Sequence, residues 1–434
     1  MNHRIKPYIN LVRYNHNYRR LWLSQIVSNF GDWFGILAIF ALIQQYSDSE
    51  FLLGLIIVVK MMSLATFSPI AGYITDRFNR RQLMIGCDIL RGLIVLGFLL
   101  IVSYQTLWLA YLLTAIQMML SAVFEPAKTS SIPNVTTSEE LVNANILSAA
   151  SWSIIFTTGM ALGGLATGYL GTDPVFIINS ISYMLSGWFI YKASIPQKRM
   201  SEDEKRRTSN PVKGIKDGFR FLLNNSHVLR PTIAKGTFTF CSGALVYMLI
   251  IVAEDVLMMG SIGLGFLYAA RGIGTGIGPV AGRRIFKRES KWILAMGMFM
   301  VICGLFYLVV SLTQSLFIML LFVLLAHMAS GANWVMSTVL LQRRAPDTYR
   351  GRAFSTEWLL FTLSQSLSVT IAALILEFNL LTLQQTIGVF SVLLCLVGVL
   401  WLTRVVPAES HYHRLADERR EEAEASYLRH QQSV

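Results

Sequence analysis

Long stretches without charged residues recur along the chain. Asp, Glu, Lys and Arg are absent from residues 92–124, 141–172, 292–342 and 378–403. A helix needs about 20 mostly apolar residues to cross the hydrocarbon core of a bilayer. These stretches, together with others that contain one or two internal charges, therefore predict membrane-spanning helices.

Twelve spans are predicted, and the longest loop between them separates six spans from six. We therefore expect an all-α integral membrane protein whose twelve transmembrane helices form two six-helix halves. The expected spans are residues 21–45, 52–74, 83–102, 107–124, 141–169, 174–192, 232–254, 261–282, 292–311, 316–341, 353–376 and 381–403. The expected segments are an N-terminal arm (1–20), an N-terminal half (21–192), a central loop (193–231), a C-terminal half (232–403) and a charged tail (404–434).

The composition argues against a soluble protein. Only 14% of the 434 residues are charged and 54% are hydrophobic, whereas soluble domains carry about 25% charged residues. The net charge of +12 does not indicate a nucleic-acid partner, because Lys and Arg are absent from every second loop. Basic loops stay on the cytoplasmic side of a membrane. We therefore expect both termini in the cytoplasm and the lipid bilayer as a partner.

The sequence predicts no catalytic, metal or cofactor site. The four Cys lack CxxC spacing, and closely spaced His occur only at His411 and His413 in the tail, so a zinc site is not expected. The glycine-rich run 272–278 lies inside an apolar span and not after a strand, so it indicates helix packing and not a dinucleotide loop. We therefore expect no enzymatic activity.

A short repeat relates the two halves. Residues 69–72 (Pro-Ile-Ala-Gly) end the second span, and residues 279–282 (Pro-Val-Ala-Gly) end the eighth. Basic residues follow both motifs. The recurrence of one motif at the same span of each half is typical of transporters built from two repeated halves.

The loop after the second span carries the most specific motif. Residues 72–81 read Gly-Tyr-Ile-Thr-Asp-Arg-Phe-Asn-Arg-Arg, which resembles the signature loop of the major facilitator superfamily, Gly-x-x-x-Asp-Arg-x-x-Arg-Arg. The resemblance implies that Asp76 binds the N-terminal end of the eleventh span near Gly351 while the inner side is closed. The residues that it implies in this conformational gate are Gly72, Asp76, Arg77, Arg80, Arg81, Arg350, Gly351 and Arg352.

Further motifs resemble one branch of that superfamily, the siderophore exporters and macrolide-efflux proteins, over residues 13–405. They include residues 28–33 (Ser-Asn-Phe-Gly-Asp-Trp) and 350–352 (Arg-Gly-Arg). The resemblance implies a secondary active efflux permease, an antiporter, for a small organic solute such as a drug or a siderophore-like molecule. It also implies a multi-pass monomer of the bacterial inner membrane, with a coupling ion such as a proton. Met160 stands where drug/proton antiporters commonly carry proline, which weakens the implication of proton antiport.

Charged residues inside the spans are the candidates for substrate binding or ion coupling, because an intramembrane charge is costly unless it faces a cavity or a partner. They are Asp32, Lys60, Arg271 and Glu254. Asp32 and Lys60 lie at similar depths on adjacent antiparallel spans, so a structural ion pair is the alternative to a functional role. Glu254 lies at the end of the seventh span, where a solvated mouth is the alternative.

Other polar or small residues in the spans predict local packing. Gly159, Gly163 and Gly164 indicate close approach of neighbouring helices. Asp88 and Arg91 are spaced i, i+3, which predicts a pair on one helix face. His327 is expected to be a packed polar residue and not a proton relay.

Three alternative functions remain open. Residues 125–128 (Glu-Pro-Ala-Lys) and 141–145 (Leu-Val-Asn-Ala-Asn) also resemble bacterial lysophospholipid transporters, so a lysophospholipid transporter or flippase is one alternative. A non-transporting membrane sensor is another, because the central loop is long enough to bind a partner. An integral-membrane enzyme is the third, although it would need clustered His, Asp or Glu at one membrane face.

Overall fold

The structure, a computed structural model, describes residues 6–47, 49–197 and 211–411. The regular structure of these residues is helical. Eleven of the helices are long and apolar enough to cross a membrane. Gly260–Ile285 supplies a twelfth long helix of 26 residues, whose glycines and Arg271 reduce its hydropathy. The expected all-α architecture of twelve membrane helices in two halves is confirmed.

The N-terminal half consists of six long helices, α2 to α7, preceded by the short helix α1. Their bounds are α1 Lys6–Tyr14, α2 His16–Tyr46, α3 Glu50–Arg77, α4 Arg80–Gly97, α5 Trp108–Val135, α6 Ser138–Leu170 and α7 Thr172–Lys192. Two short 3-10 turns, Phe98–Leu100 and Tyr104–Thr106, connect α4 to α5. They lie where the sequence predicts a break between two spans.

The C-terminal half consists of α9 to α14, preceded by α8. Their bounds are α8 Pro211–Asn224, α9 Ser226–Ile251, α10 Gly260–Ile285, α11 Trp292–Leu312, α12 Leu316–Arg344, α13 Arg350–Glu377 and α14 Leu383–Leu400. Short π-helical turns continue α9 over Val252–Val256 and α14 over Trp401–Val405.

Several helices extend beyond the predicted spans because polar residues cap their ends. Thr137 and Glu140 form a capping box at the start of α6, which satisfies amides that an apolar end would leave free. The predicted central loop, 193–231, is partly helical, since it contains α8 and the first residues of α9. Three parts of the chain lie outside the described residues: residues 198–210 of that loop, the first five residues of the arm and the tail beyond His411.

Helix α6 approaches α2 closely at glycines. A Cβ on Gly159 would lie 2.9 Å from Trp33 Cβ, and one on Gly163 would lie 2.8 Å from Phe34 Cα. Gly164 faces the same helix, α2. No larger residue fits at the first two positions without moving a helix, so the three glycines lie at the close helix contact that the sequence predicts.

The two Pro-x-Ala-Gly motifs lie on equivalent helices but make different contacts. A Cβ on Gly72 of α3 would lie 2.9 Å from Arg352 Cα on α13, in the other half. A Cβ on Gly282 of α10 would lie 2.7 Å from Ala332 Cβ on α12, in the same half. The sequence repeat therefore marks equivalent helices without predicting their partners.

The most extensive contacts between the halves are those of α3 with α13 and of α6 with α10, and α5 and α6 also contact α13 and α12 respectively. The described ends of the chain lie at one face of the bundle. Tyr8 of α1 lies near Arg283 at the end of α10, and Glu409 pairs with Arg344 at the end of α12. We call this side, which holds the connections at 78–79, 136–137, 286–291 and 345–349, the terminal face. The other side is the opposite face.

Candidate functional site

Asp76 joins the two halves at the terminal face. Its Oδ1 accepts a hydrogen bond from the amide of Gly351 at 2.6 Å. Its Oδ2 accepts from the amide of Arg352 at 3.1 Å and from the Nε of Arg352 at 2.9 Å. Helix α13 begins at Arg350, and Tyr349 at its N-cap provides no side-chain hydrogen bond. The carboxylate from the other half therefore caps the free amides and interacts favourably with the helix dipole.

A second ionic contact between the halves lies beside Asp76. Asp347 Oδ1 lies 2.6 Å from Arg80 Nη1 and 2.9 Å from Arg350 Nη1. Arg350 also donates a hydrogen bond to Asn134 Oδ1 of α5 at 2.8 Å. Arg80 is almost fully buried, so its charge depends on these partners. The two networks together hold the terminal face closed.

Two further arginines of the signature loop make contacts within the N-terminal half. Arg77 donates to the hydroxyl of Tyr73 on its own helix. Arg81 donates to the backbone carbonyls of Ile190 and Tyr191 at the end of α7. Arg81 therefore contacts α7 of its own half, and the role that the resemblance implies for Arg77 and Arg81 in the gate stays a prediction.

Helix α8 covers the same junction from outside. Gly218 of α8 lies against the side chain of Arg352, and Phe221 stacks on Tyr349 with ring centroids 4.3 Å apart. Leu222 is buried in a cluster with Phe354 of α13. The hydrophobic side of α8 thus holds part of the central loop against the start of α13.

Contacts between the halves end near the middle of the bundle. Asn145 Nδ2 donates to Gln342 Oε1 at 2.7 Å, and Ser153 Oγ donates to the carbonyl of Gly272 at 2.7 Å. Further hydrogen bonds between the halves lie between this level and the terminal face. These contacts close the interior at the terminal face, and the partial exposure of Asp32, Lys60 and Arg271 deeper in the bundle indicates a space that faces the opposite side.

Asp32 lies deep in the N-terminal half yet keeps a partly exposed side chain. The hydroxyl of Tyr183 donates to Asp32 Oδ1, and Gln117 Nε2 donates to the hydroxyl of Tyr183 at 2.8 Å. Arg91 and Lys60 lie close enough to act on the carboxylate electrostatically. Partial exposure at this depth means that Asp32 faces the interior opening.

The ion pair that the sequence permits between Asp32 and Lys60 is not formed in this conformation. Among the described residues, the direct partner of Asp32 is Tyr183. Lys60 interacts with Asp32 electrostatically, without direct contact, and its side chain is partly exposed. The hydroxyl of Tyr183 occupies one oxygen of the carboxylate. Lys60 and Asp32 therefore lie in the same region without forming an ion pair.

Arg91 packs beside Tyr183, the hydrogen-bond partner of Asp32. Its Nη2 lies 2.5 Å from Asp88 Oδ1, as the i, i+3 spacing predicts, and Ser186 donates to the other oxygen of Asp88 at 2.7 Å. The guanidinium lies between the rings of Phe124 and Tyr183, 4.2 Å and 4.6 Å from their centroids. Arg91 is therefore a buried, paired cation that stabilises the ring of Tyr183 and, through it, the position of Asp32.

Arg271 faces the interior from the C-terminal half. Its guanidinium lies over the ring of Tyr268, 5.2 Å from the centroid. Its electrostatic neighbours Tyr307 and His327 hydrogen-bond to each other at 2.8 Å. His327 is buried, as expected for a packed polar residue. In the part of the chain that the structure describes, no carboxylate forms an ion pair with Arg271.

Glu254 lies apart from these residues. It belongs to the π-helical turn that continues α9, near the opposite face, and it is exposed. Its position matches a solvated mouth and not a buried coupling site. The structure thus brings Asp32 and Lys60 into one wall of the interior and Arg271 into the other, and leaves Glu254 at the rim.

A buried ion pair in the C-terminal half was not anticipated from the sequence. Lys235 Nζ of α9 lies 2.7 Å from Glu357 Oε1 of α13 and donates to Thr338 Oγ1 at 2.8 Å. It also lies 4.0 Å from the ring centroid of Trp334. Glu357 is the only charged residue in the predicted span 353–376. This isolated intramembrane charge is the sequence signal that could have identified Glu357 as a candidate. Only the packing of α9 on α13 reveals the partner.

The described residues contain no cluster of three or more His, Cys, Asp or Glu that could hold a metal ion. Cys87, Cys241 and Cys303 are buried and Cys395 is partly buried, all as free thiols.

Comparison with known proteins places these features in a family. The family model described as the Major Facilitator Superfamily matches residues 21–369 and again residues 236–433. The first match includes both Asp76 and Gly351, and the second includes Gly351.

Three curated relatives illustrate the similarity. A putative bacilysin exporter, BacE of Bacillus subtilis (strain 168), is 26% identical over 90% of this chain and 94% of its own length. The enterobactin exporter EntS of Shigella boydii serotype 4 (strain Sb227) is 23% identical over 79% of this chain and 81% of its own length. The uncharacterized MFS-type transporter YfiS of Bacillus subtilis (strain 168) is 28% identical, and the chain spans 51% of its length.

A solved structure shares the fold. A bacterial homologue of the iron transporter ferroportin, crystallised in an outward-facing state, aligns with 89% of this chain and 99% of its own chain. The TM-score is 0.68 and the identity is 15%, so the likeness concerns the fold alone. It agrees with twelve helices arranged in two halves.

Proposed function

The chain belongs to the Major Facilitator Superfamily, a family of membrane transporters and not of enzymes, and from this we propose that it exports a small organic solute by alternating access. The observation that carries the proposal is that the interior of the bundle is closed at one face and contains charged residues. Asp76 and Gly351 close it at the terminal face, and Asp32, Lys60 and Arg271 are partly exposed within the bundle. A charged interior closed at one end is what a transporter with a central binding site requires.

The direction of transport is inferred from relatives and from charge. Two relatives carry exporter in their names, one for bacilysin and one for enterobactin. The distribution of Lys and Arg favours a cytoplasmic terminal face, in the inner membrane of a bacterium. On that orientation the described conformation is outward-open. The solute would enter from the cytoplasm after the gate opens, and leave through the opening described here.

The gate works by exchanging contacts between the halves. In the described conformation the contacts of Asp76 and Asp347 favour a closed terminal face. When the halves rock, these contacts break and the amides of Gly351 and Arg352 become available to water. A solute or ion that binds more tightly to one conformation than to the other shifts the balance between them.

Asp32, Lys60 and Arg271 are proposed to bind the solute or a coupling ion, such as a proton. Each is partly exposed inside the bundle, where an unused charge would be costly. Glu254 at the rim is proposed to act on solute that approaches or leaves the interior. The proposed functional unit is a monomer, with the arm, halves, central loop and tail bounded as the sequence predicts.

Everted membrane vesicles test this proposal, because export then becomes uptake into the vesicle. Vesicles with the wild-type chain, with Asp76→Asn or without the protein are incubated with a bacterial small-metabolite extract and a fluorescent lysophospholipid. We expect mass spectrometry to find at least one small organic solute that accumulates only with the wild-type chain. Movement of the lysophospholipid alone would identify a lipid transporter instead. Equal uptake by all three vesicle types would contradict transport.

A further inference from the structure

An aromatic surface crosses the interior from one half to the other. Trp33 of α2 meets Phe156 of α6 edge to face, with centroids 4.6 Å apart. Trp152 and Phe156 stack along α6 with centroids 5.5 Å apart and planes at 9°. Phe156 in turn faces Tyr268 of α10, with centroids 6.4 Å apart. The arrangement ends at Arg271, whose guanidinium lies over the Tyr268 ring. We call these four rings the aromatic surface.

The rings of α6 point inward and not to lipid. Ile154 and Leu165 are 64% and 56% exposed and mark the lipid side of α6. Successive residues of a helix are rotated by about 100°, so Trp152 and Phe156 lie on the opposite side from these two. Both rings are nevertheless partly exposed. They are therefore exposed to the interior.

The same reasoning applies to α10. Phe266 and Ile273 are 48% and 53% exposed and mark its lipid side, whereas Tyr268 and Arg271 lie on the opposite side of the helix. Gly272, which accepts the hydrogen bond from α6, lies beside them. Tyr268 and Arg271 are both partly exposed. The aromatic surface and the guanidinium thus border one opening, with walls from both halves.

The charges of the two walls differ in their balance. In the N-terminal half, Asp32 stands near Lys60 and Arg91, and Arg91 is already paired with Asp88. In the C-terminal half, the neighbours of Arg271 are the rings of Tyr268, Tyr307 and His327. A cation at this depth without a carboxylate is costly. An anionic group of a ligand would offset that cost.

We propose that the transported solute is an aromatic anion, whose ring packs on the aromatic surface and whose carboxylate, or a comparable anionic oxygen group, binds Arg271. This inference rests on the transport function proposed above. A guanidinium binds a carboxylate through two parallel hydrogen bonds, and offset or edge-to-face ring contacts favour flat aromatic ligands. Because the surface includes residues of both halves, the ligand contacts both halves, and rocking of the halves changes its contacts.

The binding test separates ring from charge. Purified protein in lipid nanodiscs is titrated with tritiated naphthalene-2-carboxylate, and with two competitors that each lack one feature. Naphthalene-2-carboxamide lacks the charge, and decahydronaphthalene-2-carboxylate lacks the aromatic ring. We expect the carboxamide to bind about tenfold to a hundredfold more weakly, the value of a hydrogen bond to a charged group. The saturated acid should bind about threefold to tenfold more weakly.

Variants then assign the two preferences to residues. Arg271→Gln should abolish the preference for carboxylate over carboxamide and keep the preference for the aromatic ring, and Arg271→Lys should retain part of the charge preference. Phe156→Leu should do the reverse: it should keep the charge preference and reduce the ring preference, because it removes the ring that contacts the other three. Arg284→Gln removes the same charge from an exposed position of α10, and Phe266→Leu removes a ring from its lipid side. Both controls should bind like the wild type, and size-exclusion profiles show which variants fold.

Three results would overturn the proposal: no binding of the naphthalene acid by the wild type, equal binding of acid and amide, or an unchanged charge preference in folded Arg271→Gln. The vesicle assay keeps this failure distinct from failure of the proposed function. Export of some other solute without binding of the probes would refute the aromatic anion and leave the transporter. Binding with both preferences but without any solute movement would refute transport and leave the site.

Discussion

The carboxylate of Asp76 in the N-terminal half caps the first turn of the helix that contains Gly351 in the C-terminal half, with 2.6 Å between Asp76 Oδ1 and the Gly351 amide nitrogen. A Cβ on Gly351 would lie 2.8 Å from the side chain of Thr75, so a larger residue there would push the two helices apart. One acidic residue and one glycine thus make the closed terminal face depend on both halves at once.

Neutralising this cap should open the terminal face. Asp76→Asn keeps the shape but loses the charge that interacts with the helix dipole and with the buried guanidinium of Arg352, and the dipole contribution alone should cost the closed state about 1–2 kcal/mol. The ratio of closed to open molecules should then fall about fivefold to thirtyfold. Spin labels at Glu139→Cys and Lys287→Cys, exposed sites of different halves, report the change as longer distances.

The matched control is Asp173→Asn, which removes an exposed acid from the first turn of α7 at the opposite face. Its distance distribution should equal that of the wild type. An unchanged distribution in Asp76→Asn would show that the cap does not set the balance between conformations.

Asp32 and Lys60 should prove functional and not a structural pair. Because Tyr183, and not Lys60, is the direct partner of Asp32, Asp32→Asn and Lys60→Met should each fold with near-normal yield. The double variant should also fold, yet transport in vesicles should be lost. Folded yield by size-exclusion chromatography and uptake into everted vesicles measure the two properties separately. A double variant that transports normally would remove both residues from the functional site.

The pair of Lys235 and Glu357 should behave in the opposite way. Both side chains are buried, so Lys235→Met leaves an uncompensated carboxylate and should cost about 3–5 kcal/mol of folding stability. The double variant Lys235→Met with Glu357→Met removes both charges and should recover most of that loss. The midpoint of thermal unfolding of purified protein measures the effect.

The surface pair of Arg343 and Glu289 provides the comparison, since its side chains are 27% and 33% exposed. Arg343→Met should change stability by less than about 1 kcal/mol, the usual value of an exposed pair. If Lys235→Met were as mild as this control, the buried pair would not be a determinant of stability.

The orientation can be tested with single cysteines in a version that lacks the four native ones. Asn224 at the end of α8 and Gln314 between α11 and α12 are both exposed, on the terminal and opposite faces. Because basic loops remain in the cytoplasm, a membrane-impermeant maleimide should label Gln314→Cys on intact cells. Asn224→Cys should react only after permeabilisation. The reverse pattern would invert the orientation, and with it the outward-open assignment.

The number of helices, their division into halves and the local contacts along each helix could be predicted from the sequence. Membrane helices need long apolar stretches, so twelve such stretches leave few alternatives. The pair of Asp88 and Arg91 could also be predicted, because i, i+3 spacing brings two side chains to one face of any helix. The approach of Asp76 to Gly351 could be inferred because the motif resembles the family's signature loop. The motif alone did not show that Arg80 contacts the other half whereas Arg81 contacts α7 of its own half.

Contacts between helices were decided by the tertiary structure. Equal depth on neighbouring spans suggested that Asp32 meets Lys60, but the rotation of α7 brings Tyr183 to the carboxylate first. Lys235 and Glu357 are more than a hundred residues apart, and only the packing of α9 on α13 pairs them. The aromatic surface likewise collects rings from three helices of two halves. A long apolar stretch indicates that a helix spans the membrane. The rotation of that helix and the identity of its neighbours depend on side-chain packing over the whole bundle.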